Sequence, residues 1–222
     1  MSAADTAYDA LLAHARETSL LGSTSALLAW DQETYMPRGA GEVRSQQMAL
    51  LAQLQHERAT DSRVDAWLAT CEADPHLAQD GDRLANVRGL RRDYERATKL
   101  PARLVSELAE LESKAQQEWA DARSRSNYRR FQPWLERMIA LQQQKADCLK
   151  KPGQSRWDAL ADLYEPGMNA KDLRTLFAPL REHLVALRRK LGAGKAPDES
   201  FSRVMIEEPK QEAFVRAVVA AM

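Results

Sequence analysis

The 222-residue sequence predicts an all-α fold, a multi-helix array of long antiparallel helices. Apolar residues recur at intervals of three, four and seven along most of the chain, which is the period of one helix face. Prolines and capping residues fall between these periodic segments, where helices end and begin. Val204–Ile206 is the one weak candidate for a strand. We therefore expect helices packed pairwise in a single helical region over residues 1–222.

The first helices follow from short apolar stripes. Residues 5–18 form a predicted helix, which could bend at Gly22-Ser23. Pro37 then ends this part of the chain, because the residue before a proline avoids helical geometry. On this interpretation no further helical turn fits between Trp30 and the proline. A second helix is expected over about residues 42–58.

The next two helices carry clear boundary signals. Thr60 or Asp61 is a predicted N-cap, because a short side-chain oxygen accepts from free backbone N–H groups. Asp74-Pro75 ends this helix, and another helix runs over about residues 80–97. The predicted inward-facing residues are Val64, Trp67, Leu68, Cys71, Leu84, Val87 and Tyr94.

The longest uniform stripe lies in the middle of the chain. Pro101 suits the first position of this helix, where its missing N–H costs nothing. The apolar face continues for about 22 residues, or roughly 33 Å at 1.5 Å per residue. Ser126-Asn127 interrupts the pattern, and Pro133 is expected to start the next helix. The predicted core residues of the two helices are Leu104, Leu108, Leu111, Ala115, Trp119, Ala122, Trp134, Leu135, Met138, Leu141 and Leu149.

Two further helices are predicted in the last third of the sequence. Asn169 is the expected N-cap of the first, and Pro179 should kink it. A loop over residues 192–197 follows, and the last helix begins near Pro209. Its apolar stripe has nothing after it to cover it, which predicts a missing partner segment or self-association. The two stripes comprise Leu173, Leu176, Phe177, Leu180, Leu184, Leu187 and Leu191, then Phe214, Val215, Val218, Val219 and Met222.

Composition disfavours several function classes. The 32 Lys and Arg residues balance 32 Asp and Glu residues, whereas nucleic-acid binding needs a basic excess. No apolar run approaches the length of a membrane span, and no signal peptide is expected. Cys71 and Cys148 lie far apart among apolar positions, so we expect free thiols in a reducing, cytoplasmic compartment.

The sequence contains no recognisable catalytic or metal-binding motif. A zincin needs His-Glu-x-x-His, so that two imidazoles on one helix face grip the metal. After His56 the second ligand position is Thr60. His14 and Glu17 lie one helical turn apart, and a solvated pair is the preferred interpretation. We therefore assign no catalytic, cofactor-binding or metal-ligating residue, and expect no metal on this chain.

Two interpretations remain open for the stretch from Trp30 to Arg38. It is either a buried helix C-terminus whose carboxylates pair with arginines such as Arg38 or Arg44, or a polar corner in a large helical enzyme. The pattern Trp30-Asp31-Gln32-Glu33-Thr34-x-Met36-Pro37, followed by Arg44, resembles the N-terminal signature of the carboxypeptidase Taq family. The segments Leu100–Arg123 and Asp158–Met168, the second containing Tyr-Glu-Pro-Gly-Met, resemble two further parts of that family.

The resemblance implies a mainly helical metallocarboxypeptidase with a deep substrate groove, usually a homodimer. Such enzymes use zinc or cobalt and remove single residues from the C-termini of peptide substrates. The family's His-Glu-x-x-His, His-Pro-Phe and Asp-x-Arg-x-Thr segments are not found here, so the sequence resembles the N-terminal half only, an incomplete part of a larger catalytic domain.

Several expectations follow from this resemblance. The isolated chain should be inactive, and it should pair with the missing C-terminal half or form a homo-oligomer, without nucleic acid or membrane. The alternative is a non-catalytic helical binding module derived from the family. Structural rather than catalytic roles are expected for Trp30, Asp31, Glu33, Tyr164 and Glu165.

Overall fold

The computed structural model describes residues 2–196 and 198–222 and confirms the all-α prediction, since no strand occurs in that part of the chain. The segment 204–206 is irregular, so the strand prediction there is wrong; three residues without a partner strand cannot form a stable pair. The helices are α1 (Ala3–Thr34), α2 (Gly41–Ala59), α3 (Ser62–Glu72), α4 (Gly81–Thr98), α5 (Ala102–Ser124), α6 (Tyr128–Leu149), α7 (Arg156–Ala161), α8 (Ala170–Gly192) and α9 (Glu208–Ala221).

Backbone contacts divide the chain into two units. The first ends at Met168 and contains α1 to α7, and the second, Asn169–Met222, contains α8 and α9. The single helical region expected over the whole chain stays a prediction. Within the described residues, no helix combines the length and the apolar character needed to cross a bilayer.

Two apolar clusters form the core of the first unit. One lies between α1, α3 and α4 and centres on Leu11 and Leu68, whose side chains are inaccessible to solvent. The other lies between α5 and α6. The predicted stripes of α3 and α5 are thereby confirmed, except that Trp119 is 46% exposed because it lies in an open groove between α5 and α6. The buried members are Ala7, Tyr8, Leu11, Val64, Leu68, Cys71, Leu77 and Val87 in the first cluster, and Leu104, Leu108, Leu111 and Leu141 in the second.

Helix α1 is longer than the sequence predicts. It runs without interruption through Gly22 and Ser23 and ends at Thr34, so the prediction that no turn fits after Trp30 is wrong. A proline disfavours helical geometry mainly in the residue before it, here Met36. The final helical turn therefore fits between the apolar run and the proline.

The boundary between α5 and α6 combines a confirmed and a wrong prediction. The interruption at Ser126-Asn127 is confirmed: Ser126 has a left-handed backbone, with φ 50°, and the Asn127 N–H donates to the Ala122 carbonyl at 2.8 Å. The prediction that Pro133 starts α6 is wrong, because the Asn127 side chain caps the helix at Tyr128. Pro133 lies one and a half turns inside, on an exposed face.

Helix α5 begins one residue later than predicted, directly after Pro101. Pro101 is the N-cap of α5 rather than its first residue. Its φ of −63° already matches helical geometry, so it starts the helix from either position.

The second unit consists of two amphipathic helices. The Asn169 side chain accepts from the Asp172 backbone N–H at 3.0 Å and caps α8, as predicted. Pro179 lies inside α8, and α9 begins next to Pro209, also as predicted. The apolar stripes of both helices are largely exposed.

Candidate functional site

The polar corner predicted at the end of α1 is built by the backbone around Pro37. The N–H groups of Tyr35 and Met36 both donate to the Asp31 carbonyl, at 3.0 and 2.9 Å, and close the last turn. A single 3₁₀ turn, Arg38–Ala40, then leads into α2. The chain therefore leaves the axis of α1 here and turns into α2.

Arg44 is the buried centre of this corner. Its guanidinium, on α2, donates to an Asp31 carboxylate oxygen at 2.5 Å, to the Leu28 carbonyl and to Gln47 Oε1 at 3.1 Å. The pairing of Asp31 with Arg44 confirms one of the two partners that the sequence suggested. Among the described residues, the Arg38 side chain forms no ion pair with a carboxylate. Because the charged group is buried and hydrogen-bonded on three sides, it fixes the crossing of α1 and α2.

A second polar contact joins the same corner to α5. Gln32 Nε2 donates to the Ser113 carbonyl at 2.9 Å, and Ser113 Oγ donates to Gln32 Oε1 at 2.8 Å. Ser113 is buried on the side of α5 that faces α1. This reciprocal pair satisfies a buried hydroxyl and sets the position of α5 against α1.

A polar cleft of about 430 Å³ opens beside these contacts. Arg130 lies on one side, 2.9 Å from Glu118 and 3.1 Å from Asp121. The Gln117 amide lies on the other, packed so closely on the backbone of Gly41 that a Cβ there would meet its oxygen at 2.0 Å. The cleft is lined by Gln32, Met36, Arg38, Gln117, Glu118, Ala120, Asp121, Ser124, Arg125 and Arg130.

The Tyr-Glu-Pro-Gly-Met segment is held by a residue that sequence reasoning did not single out. Asp162 accepts from Arg96 of α4 at 2.5 Å and from the Gly167 backbone N–H at 2.8 Å. These two donors lower the pKa of the Asp162 carboxyl, the Gly167 contact contributing most. Gly167 adopts φ 88°, a conformation that favours glycine. The loop is therefore tied to α4 by its aspartate.

Of the five residues given structural roles, only Asp31 has a side-chain hydrogen bond to another described residue. Trp30 is 55% exposed and touches Tyr35 edge-on, with ring centroids 5.4 Å apart. Tyr164 is 85% exposed, and Glu33 and Glu165 are also at the surface. Their structural role within this chain is not observed.

The His14 side chain connects α1 to α2. Its Nε2 lies 2.9 Å from the Arg58 carbonyl at the end of α2, and Arg58 donates to Glu17 at 2.7 Å. The preferred interpretation of His14 and Glu17 as a solvated pair is therefore incomplete, since Arg58 joins them. In the ranges 2–196 and 198–222, no three His, Cys, Asp or Glu side chains come together as metal ligands.

Comparison with known proteins shows which family this chain belongs to. The profile of the carboxypeptidase Taq (M32) metallopeptidases matches residues 10–222. The chain belongs to the carboxypeptidase Taq family.

The family relatives are considerably longer than this chain. Thermostable carboxypeptidase 1 of Thermus thermophilus is 44% identical over 228 residues, which cover 98% of this chain and 44% of the relative. Thermostable carboxypeptidase 1 of Pyrococcus furiosus is 30% identical over 190 residues, covering 85% and 38%. The chain therefore spans less than half the length of these relatives, and the match is to their N-terminal half.

Solved structures of the family agree with the observed fold. The crystal structure named BsuCP superimposes with a TM-score of 0.86 at 26% identity, over 97% of this chain and 43% of that one. The carboxypeptidase of Deinococcus radiodurans gives 0.72 at 34% identity, over 97% and 43%. Each of these superpositions covers less than half of the solved chain.

Proposed function

We propose that this chain forms the N-terminal part of a metal-dependent carboxypeptidase that removes single residues from the C-termini of peptides. The observation that carries the proposal is the 44% identity to a thermostable carboxypeptidase over 98% of the chain. In the complete enzyme we propose zinc or cobalt as the metal, peptides as substrates, a homodimer as the assembly and the cytoplasm as the compartment. Nucleic acid and membrane have no part in this proposal.

The role proposed for this chain is to position one wall of the peptide groove. Gln32 and Asp162 each join two segments that lie far apart in the sequence, and Arg44 joins α2 to the end of α1. Part-buried polar contacts of this kind hold packed helices in one arrangement. Such a wall needs rigidity more than reactive groups.

The residues present do not fit a catalytic zinc site. Three protein ligands are needed for such a site. His14 is engaged with a backbone carbonyl, and no ligand cluster forms in the described part of the chain. We therefore assign the chemistry of peptide hydrolysis to residues that this sequence does not contain.

The proposal is tested with a joined polypeptide: this chain followed by the part of the Thermus thermophilus relative that lies beyond the matched region. Release of the C-terminal residue from a blocked dipeptide is measured with zinc, with cobalt and with chelator. We expect release by the joined polypeptide, lost on chelation, and none from the 222-residue chain. A folded, metal-loaded joined polypeptide without activity would refute the proposal, as would chelator-sensitive release by the chain alone.

A second candidate function is a helical binding module without catalysis. The exposed apolar face of α8 favours it, because such a face is a typical protein-binding surface. Size-exclusion chromatography and near-UV circular dichroism of the chain alone distinguish the two. A monodisperse chain with fixed tertiary structure supports the module, whereas aggregation or a far-UV signal alone supports an enzyme part.

A further inference from the structure

Helix α8 presents an apolar face that is open to solvent over about four and a half turns. The six large apolar side chains of this face, between Leu176 and Leu191, are each between 46% and 70% exposed. They recur at intervals of three and four, so they form one continuous stripe. The stripe consists of Leu176, Phe177, Leu180, Leu184, Leu187 and Leu191.

A row of arginines borders this stripe on one side. Arg174, Arg181 and Arg188 are spaced by seven residues, and seven residues return to almost the same side of a helix. Most arginines of the first unit pair with a carboxylate, for example Arg96 with Asp162 at 2.5 Å. Among the described residues, none of the three arginines in the row has a hydrogen-bond or ion-pair partner.

These two features specify what could cover α8. An apolar stripe on a helix packs best against a second helix with a matching stripe. Three aligned guanidinium groups, each with several fixed donors, favour carboxylates along the border of that second helix. The complementary surface is therefore an apolar stripe flanked by Asp or Glu.

We propose that α8 docks such an acidic-bordered helix from the remaining part of the carboxypeptidase polypeptide. The inference rests on the proposed function. The family relatives carry more than half of their length outside the matched region, which supplies a large body of chain to cover this face.

Two other occupants fit less well. A second copy of α8 offers no acidic border, since the helix has six Lys and Arg residues against two acidic ones. A lipid surface favours interfacial helices with tryptophan, which α8 lacks. Both occupants are separate outcomes of the experiment.

The test compares the reactivity of single introduced thiols in the isolated chain and in the joined polypeptide with the Thermus thermophilus part. Every variant also carries Cys148→Ser, because Cys148 is a partly exposed free thiol. Leu184→Cys reports on the stripe, and Glu182→Cys, on the opposite face of α8, is the matched control. Both positions are exposed in this chain. Cys71 is buried, and burial raises the pKa of its thiol, so its failure to react verifies folding in every sample.

We expect maleimide modification at Leu184→Cys to slow at least tenfold in the joined polypeptide, while the control reacts equally in both. Adding Arg181→Glu should restore much of the lost reactivity, because it places like charges at the border. Equal reactivity at position 184 in both folded forms overturns the proposal. The proposal is also overturned if the thiol at position 184 is protected in the isolated chain when that chain sediments as a dimer. The same holds if the thiol is protected only on phosphatidylserine vesicles.

The thiol-protection experiment and the peptidase assay can fail independently of each other. Protection of position 184 without peptidase activity refutes the carboxypeptidase proposal and leaves the docking surface standing. Peptidase activity without protection refutes the docking surface alone.

Discussion

The contact of Arg44 with Asp31 allows a quantitative test of the corner. Arg44→Met keeps an unbranched apolar stem and removes the donors to Asp31, the Leu28 carbonyl and Gln47. Hydrogen bonds to a charged group contribute about 1.5–3 kcal/mol each, and part of this is recovered by hydration. We expect Arg44→Met to lower the free energy of unfolding by about 2–4 kcal/mol.

Removing the other partner should cost less. Asp31→Asn leaves an oxygen that still accepts from the guanidinium, and the Asp31 side chain is 35% exposed, so water screens the pair. We expect a loss of about 1–2 kcal/mol. The coupling energy from the two single variants and the double variant should also be about 1–2 kcal/mol.

The assay is urea unfolding followed by far-UV circular dichroism. The matched control is the cycle for Arg137 and Glu107, which also join two helices but with Arg137 60% exposed. Its coupling energy should stay below about 0.5 kcal/mol. A coupling at Arg44 no larger than the control would refute the reasoning that burial strengthens this pair.

Three further predictions concern the first unit. Leu68→Ala should lower the free energy of unfolding by about 2–5 kcal/mol, since the side chain is fully buried; urea unfolding measures this. Ser126→Gly should raise it by about 1 kcal/mol, because the residue has φ 50°. Asp5 has its pKa lowered to about 2, mainly by Arg83, so its stabilising contribution is present above about pH 4 and is lost as the pH falls towards 2. Asp5→Asn should lower stability at pH 5 and flatten that part of the pH profile.

Each of these predictions has a control in the same unit. Leu50→Ala, at a 57% exposed position, should change stability by less than about 0.5 kcal/mol. Ser124→Gly, in the last turn of α5, should destabilise rather than stabilise. Asp9→Asn, on the exposed side of α1, should change stability at pH 5 by less than about 0.5 kcal/mol. Equal effects for test and control in any pair would contradict the corresponding explanation.

Regular features of the fold could be predicted from the sequence alone. The stripe of α5 and the caps at Asp61 and Asn169 depend only on residues a few positions away. Apolar periodicity and the chemistry of capping side chains therefore predict them. Trp119 matches the same stripe and is nevertheless exposed, because its burial depends on where the partner helix begins. Periodicity contains no information on that point.

The polar contacts of the corner could be predicted only in part. Asp31 and Arg44 stand close in the sequence, so their pairing was one of two suggested options. Asp162 with Arg96 and Gln32 with Ser113 join residues 66 and 81 positions apart, and no local pattern specifies them. The metal ligands expected of the family could not be placed, because they do not occur in this sequence.

The long α1 has a consequence for synthesis of the protein. Its side chains contact Arg83 and Ser113, residues 78 and 81 positions later than their partners Asp5 and Gln32. At about 5–20 residues per second, a ribosome needs roughly 4–16 s to make the intervening chain. During that interval α1 can pack against α2 and α3, but its polar contacts with α4 and α5 cannot form. The packing of α1 is therefore completed late in synthesis, and slow codons between α1 and α5 should prolong the interval in which α1 is incompletely packed.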